Sequence, residues 1–273
     1  MVYEKNITHR FEDGCAVEDE CVSGDTGMPE PEEQLSYIEW KDLKNVQDPA
    51  VYSFGLIVQK MRAEVTSVIN AVGDLAGVTP LTQSNFVSLM ILFRIRECMI
   101  STELLISKGL IRDAAALLLK MIECRLEIQY IATDASHVRE WIRKKKGNEN
   151  PWKISFLISR LFPERSKHKA EYEMFEYVMN MQCSDPMENQ PDFPIKEDEL
   201  STAKGDDLAV CLFYEGSECY KILSAAVKDF SESGFEIQTN MQALEELNEL
   251  KDKLKSLQKI RPCRLPKRYF PNA

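Results

Sequence analysis

The sequence predicts an all-α protein: a helical bundle with a disordered acidic N-terminal arm and a long C-terminal helix. Two observations carry that expectation. Apolar residues recur at helical spacing along most of the chain, and no segment has the alternating β-branched pattern of a strand. Two long apolar runs, 86–107 and 111–132, meet at Lys108-Gly109 and read as a buried helical hairpin. The expected organisation is an arm over 1–47, a bundle over 48–235, and a C-terminal helix with a basic, proline-containing tail over 236–273.

The elements follow in order. The first 35 residues crowd acidic side chains, Glu12 and Asp13 through Glu32 and Glu33, into a stretch with little to bury, which predicts disorder. Asp48-Pro49 sets a cap residue before a proline at the first helical position. The helix it starts runs to Leu75, with Phe54, Ile57, Val58, Met61, Val65, Val68, Ile69 and Val72 on one stripe. Thr82 or Ser84 can cap the first hairpin helix, and Gly109 suits its left-handed end. A short polar helix is expected over 136–145. Asn150-Pro151 repeats the cap-then-proline signature ahead of a helix over 152–162. Another helix is expected over 166–181, with Tyr172, Phe175, Val178 and Met179 inward.

The stretch 183–203, with Pro186, Pro191 and Pro194, reads as a loop. Asp206 or Asp207 then caps a helix that ends at Gly234. The last helix, 237–260, has apolar residues at Ile237, Met241, Leu244, Leu247, Leu250, Leu254, Leu257 and Ile260. Their spacing departs from the regular alternation of a long coiled coil, so packing on the domain and dimerisation both stand open.

Composition bounds the function. The net charge of −10 gives no overall attraction to nucleic acid or anionic membranes, although local patches can override it. The best apolar stretch, 86–93, stops at Arg94, well short of a membrane span, so no membrane association is expected. No secretory leader is evident, and the expected location is the cytoplasm. None of the eight cysteines has the two-residue spacing of a zinc or redox motif. Cys98 and Cys124 read as small hydrophobes; Cys15 and Cys21 leave metal binding or oxidation open against plain reduced thiols. No nucleophile elbow or phosphate-cradling glycine loop occurs, which argues against a P-loop NTPase or a Rossmann dehydrogenase. No cofactor is expected.

Charges set into the hairpin are the first candidate site: Arg94, Arg96, Glu97, Glu103, Lys120, Glu123, Arg125 and Glu127. Buried charges must be paired, so these form either a polar-lined core or the floor of a pocket for a charged ligand. Arg94 with Glu97, and Lys120 with Glu123, are the expected ion pairs. Neither Glu123 nor Glu127 has a histidine three residues on, as a helical di-metal site requires, so no metal is expected.

The second candidate is a basic island: Arg139, Arg143, Lys144, Lys145, Lys146, Lys153, Arg160 and Arg165 among others, with Trp141, Trp152 and Phe156 interspersed. Cations beside aromatics suit phosphates and stacked bases, whereas a solvated helix face explains the same pattern without a ligand. For catalysis the available pairs are His137 with Arg139 and His168 with Arg165.

The run Gly109-Leu-Ile-Arg-Asp-Ala-Ala-Ala-Leu-Leu-Leu-Lys-Met-Ile-Glu-Cys, with Tyr130-Ile-Ala-Thr-Asp134 after it, resembles a family of all-helical, HEPN-like bacterial proteins (the higher-eukaryote and prokaryote nucleotide-binding superfamily). Gly109, Asp113, Ala114, Lys120, Glu123 and Tyr130 are the matching positions, and the resemblance spans roughly 50–230. It implies a helical bundle of the kind carried on mobile or defence-related elements. Active members pair an arginine and a histidine with four to six residues between them, the histidine acting as general acid or base. Here Arg160 and His168 are separated by seven residues and Arg165 and His168 by two. The expectation is therefore a non-catalytic binding or regulatory module with a protein partner or a second copy of itself. The alternative is an RNA-binding protein or ribonuclease using 137–169.

Overall fold

A proline at its first position opens α1, Pro49–Leu75, where the missing proline N–H costs no hydrogen bond. The computed structural model describes residues 49–147, 151–183, 197–239, 242–243 and 245–249. The acidic arm, Cys15, Cys21 and the basic tail lie outside them. Among the described residues the protein is all-helical, and no helix is long and apolar enough to cross a membrane.

Helix α2, Gln83–Ser107, starts with a reciprocal capping box. The Asn85 backbone N–H donates to Thr82 Oγ1 at 3.1 Å, and the Thr82 N–H donates to Asn85 Oδ1 at 3.1 Å. The turn to α3, Ile111–Ile131, passes through Gly109 at φ 69°, the left-handed conformation a glycine adopts without strain. Asp134 then caps α4, Ala135–Lys146, by accepting the Ser136 N–H at 2.7 Å. The remaining helices are α5 (Ile154–Leu161), α6 (Lys169–Cys183) and α7 (Glu197–Glu232).

Apolar stripes set the packing. α7 lies against α1, α2 and α3, and α3 meets α2, α4, α5, α6 and α7. Encirclement leaves α3 buried without a break from Met121 to Ile128. The core of the bundle also includes Phe54, Val58, Val65 and Val72 of α1, Leu92, Ile95 and Met99 of α2, and Ile222, Ala226 and Phe230 of α7. Fully burying each such side chain contributes about 1.5–3 kcal/mol.

Three boundaries differ from the sequence expectation. α5 begins at Ile154, not just after Asn150-Pro151, because Pro151 and Trp152 are buried and tied down before the helix starts. Lys144 Nζ donates to the Pro151 carbonyl at 2.6 Å, and Trp152 packs edge-on against Tyr130. α6 begins at Lys169, because 165–168 form a turn whose His168 carbonyl accepts the Glu171 N–H. α7 begins at Glu197, inside the stretch expected to be loop; Asp207 is no cap but accepts the Tyr177 hydroxyl at 2.7 Å.

Of the expected last helix, Ile237 is not helical, whereas 242, 243 and 245–249 are. Phe235 is held back against Phe230 after Gly234, at φ 89°. At the described positions this helix packs on its own domain. Ala243 and Leu247 are buried, and Lys60 Nζ meets Glu246 at 2.6 Å. A Cβ on Gly216 would come within 3.2 Å of Leu247, so glycine there permits the close approach. Met241, Leu244, Leu250, Leu254, Leu257 and Ile260 lie outside the described residues.

One polar staple joins the ends of α2 and α7. Asp229 accepts from Ser84 Oγ at 2.6 Å, Asn85 Nδ2 at 3.0 Å and Ser88 Oγ at 2.8 Å. A carboxylate at a helix N-terminus also meets the positive end of the macrodipole. Asn85 and Ser88 are buried, so Asp229→Ala leaves donors without acceptors. The expected loss is about 2 kcal/mol, read as a lower urea midpoint. An unchanged midpoint shows that the staple adds nothing.

Candidate functional site

Because α3 is buried without a break from Met121 to Ile128, Glu123, Arg125 and Glu127 are shielded from bulk water and must be answered by neighbours. Arg125, at 2 % exposure, is the largest fully enclosed side chain. Its Nε donates to Glu218 of α7, its Nη2 to Glu171 of α6 at 2.8 Å, and its Nη1 to Gln129 at 3.0 Å. The guanidinium also lies 5.6 Å from the Phe162 ring centre. Lys221 bridges the same two carboxylates, at 2.9 Å from Glu171 and 3.1 Å from Glu218. Burial alone would raise the Glu171 carboxyl, but Arg125 and Lys221 outweigh it and hold Glu171 below the ordinary range. A cavity of about 10 Å³ beside Arg125 has room for about one water.

Several other hairpin charges are also turned onto neighbours. Lys120 pairs with Glu123 one turn on. Glu127 Oε2 accepts the indole N–H of Trp141 at 2.9 Å, while its Oε1 faces Lys145 Nζ at 3.7 Å. Burial raises the Glu127 carboxyl and lowers the Lys145 amine. Arg62 of α1 donates to Glu103 of α2 at 2.7 Å. Glu215 of α7 faces that pair at 0 % exposure, with neither oxygen hydrogen-bonded among the described residues. Burial first, and the negative Glu103 second, push its carboxyl well above the ordinary range, with Arg62 opposing. The adjacent Cys211 and Cys219 thiols are pushed up as well, chiefly by burial.

The expected polar set is therefore brought together only in part. Lys120, Glu123 and Glu127 are engaged with neighbours. Arg94 and Glu97 make no ion pair with one another, and neither has an ion-pair or hydrogen-bond partner among the described residues. Glu97 is exposed and Arg94 half-buried on the outer side of α2, so lying one turn apart does not close the pair.

The basic island divides by depth. Lys144 pairs with Glu140 at 2.9 Å and holds the Pro151 carbonyl; Lys145 is turned to Glu127. Trp141 and Trp152, which the nucleic-acid alternative needs as base-stacking surfaces, are 6 % and 7 % exposed and belong to the core. Outside remain Arg139, Arg143 and Lys146, on one face of α4 at steps of four and three, with Lys153 and Arg160 beyond. Arg160 lies over the Phe156 ring at 5.4 Å.

The histidines are also engaged. The His137 ring stacks on Tyr130 at 4.0 Å, and its Nδ1 lies 3.0 Å from the Tyr130 carbonyl, where only a protonated nitrogen can donate. The His168 ring sits against Phe162, and Arg165 is directed to Glu176 and over Tyr172. Sequence reasoning missed Arg62, Glu171, Glu215, Glu218 and Lys221. Arg125 and Glu218 are 93 positions apart, and local spacing carries no signal at that range. Among the described residues no group of three or more histidine, cysteine, aspartate or glutamate side chains is arranged to hold a metal ion.

The buried Glu215 sets a pH dependence. A carboxyl raised by folding stabilises fully below its unfolded value of about 4.3. That contribution is lost as pH rises toward the folded value. Glu215→Gln removes the titration while keeping the shape. Urea unfolding from pH 4 to 8 is expected to show the variant gaining on the parent as pH rises; parallel profiles contradict the assignment. No protein-family model, curated protein or solved structure matches this chain.

Proposed function

We propose that the protein is a non-catalytic binding or regulatory module of HEPN-like fold, working through its outer faces. One observation carries the reading. The hairpin's buried charges are answered by neighbouring side chains, while apolar side chains face outward: Met90, Leu104 and Leu110 of the hairpin are 43 %, 49 % and 48 % exposed, and Val78 just before it is 86 % exposed. Arg125 and Glu127 hold α3 to its neighbours and Lys120 pairs with Glu123 within it, whereas the exposed apolar groups cost hydration until a partner covers them. A protein partner fits that surface.

A second reading is favoured by a different observation. Arg139, Arg143 and Lys146 form an exposed cationic line on α4, suited to a phosphate backbone, so RNA is the alternative partner. With the tryptophans buried, such contact is electrostatic and falls steeply with salt.

Photo-cross-linking residues placed at 104 and at 143 in the native cell test the two readings together. Capture of one discrete protein at 104 is expected, whether another chain or a second copy. Capture of RNA at 143 alone transfers the function to α4. RNA cleavage by the purified protein that disappears in His168→Ala overturns the non-catalytic reading.

A further inference from the structure

Helix α2 carries apolar side chains on every face, as a helix enclosed on all sides does, yet one face is open. Met90, Phe93, Glu97, Ile100 and Leu104 follow one another along it at steps of three, four, three and four, the spacing of a coiled-coil seam. Met90 and Leu104 are exposed, and Phe93 and Ile100 half-buried. Glu97 interrupts the seam. Arg94, on its flank, stands near enough to Lys120 and Lys145 to act on the same buried groups as they do. Lys120 and Lys145 are answered by Glu123 and Glu127, but no carboxylate is turned to Arg94 among the described residues.

We propose that this face of α2 is covered by α2 of a second copy of the chain, packed antiparallel about a two-fold axis that crosses the seam between Phe93 and Glu97. The proposal rests on the binding-module reading and names its partner. Two features favour a second copy. Antiparallel seams place an a-type residue opposite a d-type residue, so Met90 faces the other copy's Ile100, and Phe93 faces its Glu97. This register sets each Glu97 beside the other copy's Arg94, so the one carboxylate in the seam reaches an arginine to which no carboxylate is turned among the described residues, twice over. The pattern is thus its own complement, as an isologous interface must be. A single helix pair buries less than a standard interface, so association in the micromolar range is expected.

Sedimentation equilibrium of the full chain across micromolar concentrations is the test. The expected result is a rise from the 31.4 kDa chain mass toward twice that value. Glu97→Arg brings four arginines together and is expected to weaken association at least tenfold. The double variant Arg94→Glu with Glu97→Arg restores the pairing with signs exchanged. Both positions lie outside the core, and circular dichroism checks that the variants fold. A monomer at every concentration overturns the proposal. So does a dimer indifferent to Glu97→Arg, or one that the charge exchange does not restore. If the chain is monomeric while position 104 still captures a different protein, the second copy is wrong and the binding module stands.

Discussion

An arginine in the middle of a helix that is buried on every side has few ways to be tolerated. It cannot reach water along a flexible stem, and its desolvation costs several kcal/mol unless carboxylates from other helices meet it. Arg125 is in that position, and Glu218, Glu171 and Gln129 meet it. Those contacts fix where α6 and α7 sit relative to α3. The apolar stripes then close around a polar centre whose geometry is already determined. Lys221, shared between the same carboxylates, extends the constraint along α7. Hydrophobic burial supplies most of the stability, but it is non-directional. The ion network is directional and selects one arrangement among those the stripes allow.

Two smaller polar sets work at the edges of the same core. Asp229 draws together the start of α2 and the end of α7 through three neutral donors. Glu127 ties α3 to Trp141 and Lys145 of α4. With these charges committed inside, the apolar seam of α2 and the cationic line of α4 are what the hairpin and its neighbour leave exposed. They occupy different helices and suit different partners.

Much of the fold was legible in the sequence, for identifiable reasons. Pro49, Thr82 and Gly109 mark helix ends by local chemistry, α1 has a long stripe at helical spacing, and the apolar runs of α2 and α3 are longer than strands. The start of α5 was not legible, because Trp152 is claimed by Tyr130, a tertiary contact that overrides the Asn150-Pro151 signal. The start of α7 was hidden by prolines that suggested a longer loop. In the candidate site, Lys120–Glu123 was legible as a one-turn pair, and Arg94–Glu97 was misread by the same rule. Spacing places side chains near one another without saying which side of the helix meets solvent. Arg125–Glu218 and Arg62–Glu103 lay beyond reach, because they join residues distant in the chain. The aromatic residues of the basic island misled for a related reason: tryptophan is equally at home stacked on a base or closing a core.

The central claim is that the hairpin's buried charges hold the fold and do not form a ligand site. A double-mutant cycle on Arg125 and Glu218 tests it most directly. Arg125→Met alone leaves Glu218 buried without its arginine and is expected to cost about 3–5 kcal/mol. Pairing it with Glu218→Leu should recover much of that loss, a coupling of at least about 2 kcal/mol, while partner binding persists. Losses that simply add, or a stable double variant that no longer binds its partner, would contradict the account.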